Sequence, residues 1–172
     1  RPPAKPPRDP PPKPPPPPPG SLGWVKFTGN PVLNPGSTGS FDSLKLREPS
    51  VLKQSAASYV LWYEGEDLAR TKLGRATSTD GITWTKSPSS AVLDVGAAAD
   101  WDGSTVGSPS VFFDGTTFRM WFTGKNSTGT LRIGLATSTD GILWTKNAAN
   151  PVLNLGVSGS FDASHVRAPC VI

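Results

Sequence analysis

GRATSTDGITWTK, residues 74–86, returns as GLATSTDGILWTK at residues 134–146, with only two of the thirteen positions changed. In each copy a short run of apolar and β-branched residues reaches an Asp-Gly pair, and a second run leaves it. Glycine supplies the positive φ that a tight turn needs. Asp80-Gly81 and Asp140-Gly141 therefore predict hairpins. They join a third strand (residues 73–77 and 131–137) to a fourth (residues 82–86 and 142–146).

Working outward, the period is 60 residues: Val32, Val92 and Val152 keep it, within NPVLNPG, SAVLDVG and NPVLNLG. So do Asp42, Asp102 and Asp162, each after an aromatic residue, and Pro49, Pro109 and Pro169, each before a small residue and an apolar pair. Trp24 lies one period before Trp84, as Trp84 does before Trp144. A fixed period of this length marks a repeat architecture. The chain runs from the last strand of one unit, through two full units at 49–86 and 109–146, into the start of another at 169–172. First strands are expected from Ser50 and Ser110, and second strands at residues 59–63 and 118–122. These runs are rich in β-branched and aromatic residues and are bounded by Gly, Asp, Ser and Pro. No stretch sustains a helical period.

The second strands decide how the sheets pack. Tyr59, Leu61 and Tyr63 alternate with Val60 and Trp62, and Phe118, Met120 and Phe122 alternate with Arg119 and Trp121. Both faces are largely apolar, so each sheet needs a cover on both sides. Like sheets packed face to face around an axis meet that need, whereas a two-layer sandwich leaves one face of each sheet wet. The expected fold is an all-β propeller of four-stranded blades, with about two and a half blades in residues 21–172. Trp24, Trp84 and Trp144 are assigned to the core between blades. Two and a fraction blades do not close a ring, so either further blades follow or several chains self-associate to complete one.

Thirteen of the 20 prolines fall in residues 1–20, RPPAKPPRDPPPKPPPPPPG. This segment cannot bury a core. Its available state is polyproline II, at roughly 3.1 Å per residue. It reads as an extended linker, with a ligand for proline-recognising domains as the second reading. The net charge of +4 is mostly the linker's: outside it, 13 basic residues face 12 acidic ones. The folded part therefore lacks the clustered basic charge of a nucleic-acid binder. Cys170 is the only cysteine, so there is no intramolecular disulfide. No apolar run approaches the length of a membrane span.

The series NPVLNPG, FD, PSVL, YVLWYEG and LGRATSTDGITWTK resembles the five-bladed propellers of the arabinanase, levansucrase and invertase superfamily. The likeness is to glycoside hydrolase families 43 and 32, over residues 21–172. Ser78-Thr79-Asp80-Gly81-Ile82-Thr83-Trp84 also resembles the Asp-box of sialidase-like propellers, with the glycine one residue early. Both resemblances imply a carbohydrate partner, and the reading expects a secreted or cell-surface bacterial protein with no cofactor. His165 is the only histidine and has no second ligand at a recognisable spacing, so no metal site is expected. The first resemblance implies hydrolysis of arabinose-, xylose- or fructose-type linkages, with a non-catalytic glycan-binding or scaffold propeller as the alternative.

Glycoside hydrolysis ordinarily uses two carboxyl groups. In the resembling enzymes these stand on inner strands, next to a proline. The matching positions are Glu48, Ser108 and Ala168, so Glu48 is the candidate catalytic residue. Residues that break the repeat are the better site candidates, since a reaction centre is asymmetric. These are Glu64, placed on the solvated rim, and His165, together with Arg47 and Arg167 flanking the inner strand as substrate-binding groups. Asp42, Asp102, Asp162, Asp80 and Asp140 recur in every copy. They are read as loop anchors accepting backbone amides.

Overall fold

The computed structural model describes residues 25–172. The proline-rich linker and Trp24 lie outside the described residues. Residues 25–31 contain a turn in which the Asn30 amide donates to the Phe27 carbonyl at 3.3 Å. Val32–Ile172 is a separate compact unit. No helix occurs among the described residues.

Four strands make the first repeat: β1 (Lys45–Ser55), β2 (Ser58–Glu66), β3 (Thr71–Ser78) and β4 (Thr85–Lys86). They pair in chain order as an antiparallel meander. The second repeat copies it with β5 (Thr105–Phe113), β6 (Phe118–Lys125), β7 (Leu131–Ser138) and β8 (Thr145–Lys146). A single parallel pair, Thr71 with Thr105, links the two meanders into one open eight-stranded sheet. This is the four-stranded unit that the 60-residue period predicts, in an arrangement consistent with part of a propeller.

The fourth strands differ from the sequence expectation. Ile82 and Trp84, like Ile142 and Trp144, precede the ladder rather than join it, because side chains capture the backbone there. Ser78 Oγ accepts the Gly81 amide at 2.8 Å, and Asp80 Oδ1 accepts the amides of Ile82 and Thr83 at 2.8 and 2.7 Å. Ser138 and Asp140 do the same one repeat on. The Asp-Gly pairs thus open a longer, side-chain-braced loop. Glycine is still required in it, with φ of 73° at Gly81 and 71° at Gly141. The sheet edge resumes at the repeated Val-Leu segments, where Leu93 exchanges hydrogen bonds with Leu73, and Leu153 with Ile133.

Two-sided burial of the second strand is present as the pattern required. Val60, Leu61, Trp62 and Tyr63 are all buried. Val60 and Trp62 pack on Val111, Phe118, Met120 and Phe122 of the second repeat. Leu61 and Tyr63 turn the other way, onto Leu33, Phe41, Leu46 and Trp84. Trp62 is the centre of the joint: it stands edge-on to Trp144, tilts against Phe118, and donates its indole N–H to the Gly141 carbonyl at 3.0 Å. A serine clasp repeats at the inner strands. Ser50 Oγ accepts the Val111 amide at 3.1 Å, and Ser110 Oγ accepts the Val171 amide at 3.0 Å.

Trp62→Ala is expected to destabilise the fold by about 3–5 kcal/mol, the usual cost of deleting a fully buried aromatic. Trp121→Ala, at the same register position in the second repeat but only half-buried, is expected to cost clearly less. Urea unfolding followed by circular dichroism measures both.

Candidate functional site

The inner strands β1 and β5 are each interrupted by a bulge, between Arg47 and Ser50 and between Gly107 and Ser110. The bulges hold the residues before the repeated prolines. Glu48, Ser108 and Ala168 have φ of 50°, 47° and 53°, and they are the only non-glycine residues with positive φ among those described. Proline already pushes its predecessor away from helical conformations. A left-handed non-glycine costs of order 1 kcal/mol or more, so such strain persists only where its surroundings enforce it.

Ser108 and Ala168 are also held from near the end of the preceding repeat's second strand. Glu64 pairs with Arg47, and Thr123 pairs with Gly107, so the two occupy equivalent positions. Glu64 Oε2 accepts the Ser108 amide at 3.2 Å, and Thr123 Oγ1 accepts the Ala168 amide at 2.9 Å. Each repeat thus holds the strained residue of the next by its backbone N–H. Gly107 leaves room for this, since a Cβ there would collide with the Glu64 carboxylate.

Around these bulges lies an open cleft of about 280 Å³, lined by Arg47, Glu48, Glu64, Ser108, Thr123, Lys125 and Arg167 among others. It brings together four of the five candidates from the sequence. Glu48 is exposed and faces the cleft. Arg167 lines the cleft as well. Arg47 spans two carboxylates, Glu64 at 2.7 Å and Glu66 at 2.6 Å, so its partners lie within its own blade. His165 is exposed and does not line the cleft.

Glu64 is not the solvated rim residue expected: its side chain is only 12% exposed. Burial pushes its carboxyl above the usual range of about 4.5. The Arg47 charge and the Ser108 amide pull the other way, the Glu48 charge adds to the rise, and the net direction is upward. The cleft therefore holds two acidic side chains in unlike settings.

The recurring aspartates are held by partners other than those expected. Asp42 is buried and accepts Ser40 Oγ and Tyr63 Oη at 2.9 Å and Lys86 Nζ at 2.5 Å. Asp102 accepts Lys146 Nζ at 2.6 Å, and Asp162 accepts Ser160 Oγ at 2.6 Å. Side chains, not backbone amides, satisfy these carboxylates; Asp42 and Asp102 each meet the lysine of their own repeat's fourth strand. Burial acts to raise the Asp42 carboxyl, but the Lys86, Ser40 and Tyr63 donors outweigh it and hold it below its ordinary value. Asp80 and Asp140 do bind backbone amides, as read, and lie below theirs for that reason. Lys86 and Lys146 escaped the sequence reading, although they recur at the same period as the aspartates they meet.

No protein-family profile matches the chain. An uncharacterised protein of Mycobacterium tuberculosis (strain CDC 1551 / Oshkosh) is 30% identical over 151 residues, covering 83% of this chain and 48% of that protein. The chain thus spans about half the length of this curated relative. Among solved structures, a putative glycoside hydrolase from Bacteroides ovatus matches with 27% identity and a TM-score of 0.59, over 71% of this chain and 39% of its own. A structure described with the GH130 family of mannoside phosphorylases, which contains glycoside hydrolases targeting β-1,2-mannosidic linkages in Candida mannan, matches with 23% identity and a TM-score of 0.60. It covers 71% of this chain and 39% of its own. A family 117 glycoside hydrolase from the marine bacterium Zobellia galactanivorans reaches a TM-score of 0.65 at 14% identity, over 77% and 46% of the two chains. The chain has the fold of glycoside hydrolases. The families named among these neighbours are 130 and 117, rather than the 43 and 32 of the sequence resemblance.

Glu64→Ala leaves the Ser108 amide without its acceptor and is expected to cost about 1–3 kcal/mol. Glu64→Thr imports the solution used by Thr123 and is expected to recover most of that loss. A carboxyl raised in the folded state makes stability fall as pH climbs from 4.5 through its folded value. Glu64→Thr should flatten this part of the profile, as measured by urea midpoints at a series of pH values.

Proposed function

We propose that this chain binds a poly- or oligosaccharide in the cleft between Glu48 and Glu64 and serves the cleavage of its glycosidic bond. The carrying observation is the pair of carboxyl groups in one open cleft, one buried and raised, the other exposed on a strained backbone. A raised carboxyl retains its proton to donate to a leaving oxygen, while a solvated one is ionised and can act as base or nucleophile. In this reading Glu64 is the proton donor and Glu48 the second carboxylate. Arg167 and Lys125 offer donors to sugar hydroxyls, and Arg47 holds Glu64 in place. The hydrolase fold of the neighbours supports a sugar as the ligand. The five-bladed ring of the family 43 and 32 resemblance, and a secreted or surface location, belong to the same proposal. Candidate linkages are the arabinose-, xylose- and fructose-type bonds of that resemblance and the β-1,2-mannosidic bond named for one neighbour.

A glycan-binding scaffold is the second reading. It is favoured by one observation: Thr123 performs the backbone role of Glu64 without a carboxylate.

The test is calorimetric binding and hydrolysis of arabino-, xylo- and fructo-oligosaccharides and β-1,2-mannobiose, with and without inorganic phosphate. Glu48→Gln and Glu64→Gln are each expected to lower kcat/KM by about 10²–10⁴-fold, the range for loss of an acid or base. Binding without turnover selects the scaffold. Absence of binding across the panel overturns both readings.

A further inference from the structure

Four charged side chains stand as two cross-strand pairs in the first repeat. Lys45 is in register with Glu66, and Arg47 with Glu64. They are joined end to end. Lys45 Nζ donates to Glu66 Oε1 at 3.0 Å, and Arg47 Nη2 donates to Glu66 Oε2 at 2.6 Å. The same Arg47 nitrogen lies 2.7 Å from Glu64 Oε1. Glu66 thus meets a cation with each of its oxygens. Glu64 shares one nitrogen of one cation and meets the Ser108 amide with its other oxygen, at 3.2 Å.

The second repeat lacks this set. At the register positions of Lys45, Arg47, Glu64 and Glu66 it has Thr105, Gly107, Thr123 and Lys125. Its bulge forms all the same, and Thr123 holds the strained residue beyond it without a charge. The backbone therefore does not require the four charges. Arg47 and Glu64 line the cleft, whereas Lys45 and Glu66 do not. A guanidinium meets a carboxylate most strongly with two parallel N–H donors. Arg47 instead offers one terminal nitrogen to two carboxylates at nearly equal distances.

We infer that Glu66 is a positioning residue for Glu64: it holds Arg47 by the nitrogen that Glu64 also meets, and so keeps the guanidinium from turning its full fork onto Glu64. Lys45 anchors Glu66 in that place. The inference rests on the reading of Glu64 as proton donor, since its consequence is a Glu64 able to keep its proton. The carboxyl of Glu64 lies above its usual range despite the arginine beside it, which agrees with a partner that is only shared. The charges acting on Glu64 from the first strand are Arg47 and Glu48. Lys125 and Arg167 line the same cleft. Leu73, its neighbour on β3, and all of β5 bring no charged side chain. Neutralising Glu66 acts on Glu64 twice in one direction: it removes a negative charge and it releases Arg47. Both favour the ionised carboxylate.

Carbon-13 NMR titration of the Glu64 carboxyl in the full chain, assigned by its loss in Glu64→Gln, tests this. Glu66→Gln keeps the shape of the side chain and removes its charge. It is expected to raise the ratio of carboxylate to acid at Glu64 about tenfold at a given pH, the low end for an opposite charge brought into contact. In an Arg47→Gln background the same substitution is expected to do clearly less, because the arginine carries the coupling. On a substrate that is turned over, kcat/KM of Glu66→Gln is expected to hold at acid pH and to fall about tenfold on the basic side of the profile, matching that shift in protonation. A residue that only braced the strand would lower it at every pH. A Glu64 titration unmoved by Glu66→Gln overturns the inference, and so does an equal effect with and without Arg47. The NMR readout needs no substrate. Where no glycan is turned over it still decides the role of Glu66, and only the reading of the cleft fails.

Discussion

Trp62 sits between the two four-stranded meanders with its indole N–H given to the next repeat, and the unity of residues 32–172 depends on that contact. A strand that is apolar on one face can rest on a core and leave its other face to water. A strand that is apolar on both faces has no such option. Val60 and Trp62 must be covered as fully as Leu61 and Tyr63, and a second sheet is the nearest surface able to do it. Burying an indole also buries a donor, which costs free energy unless an acceptor stands in the same place. The Gly141 carbonyl supplies it. Hydrophobic burial and polar satisfaction therefore act at one contact and fix the angle of approach as well as the fact of it.

This joint places the inner strands side by side, and the candidate site follows from that neighbourhood. The bulges before Pro49 and Pro109 turn backbone amides out of their own ladders, toward the adjacent repeat. The Ser108 amide takes its acceptor from the preceding repeat, where Glu64, near the end of the second strand, is within reach. Any acceptor of suitable length serves, which is why Glu64 and Thr123 can alternate there without changing the backbone. The scaffold sets the position and leaves the chemistry of the side chain free. Variation at such positions can create a site without disturbing the blade.

The period of 60 residues, the four-strand unit and the two-sided second strand were legible because each rests on repetition or alternation, which a single sequence displays. The short fourth strands were not. Asp-Gly signals a turn, but whether Ser78 and Asp80 take the following amides from the ladder depends on geometry that residue identity does not encode. The same limit explains Glu64. Its place after an aromatic strand reads as an edge exposed to water, and only the arrival of the next repeat, brought by the Trp62 joint, buries it. His165, chosen for being unlike its counterparts, lies outside the cleft, so breaking the repeat selects for difference and not for place. Asp42 was recognised as scaffold by its recurrence. Its partner Lys86 recurs equally, and pairing the two required seeing the fourth strand fold back beneath the loop.

Asp42 and Glu64 show how one blade holds a fully compensated and an under-compensated acid. Both carboxyl groups are buried, and burial alone raises either one. At Asp42 a lysine, a serine and a tyrosine all donate to the carboxylate and reverse the effect, leaving an anion whose every need is met. At Glu64 one arginine, shared with Glu66, and one backbone amide do not suffice, and a neighbouring acid adds to the deficit. The first arrangement returns in the next repeat as Asp102 with Lys146, while the second does not return at all. A carboxylate compensated in full has no reason to exchange a proton and serves the fold. One left under-compensated in an open cleft weakens the fold at neutral pH, and that cost is intelligible where a proton has to be delivered to something that enters the cleft.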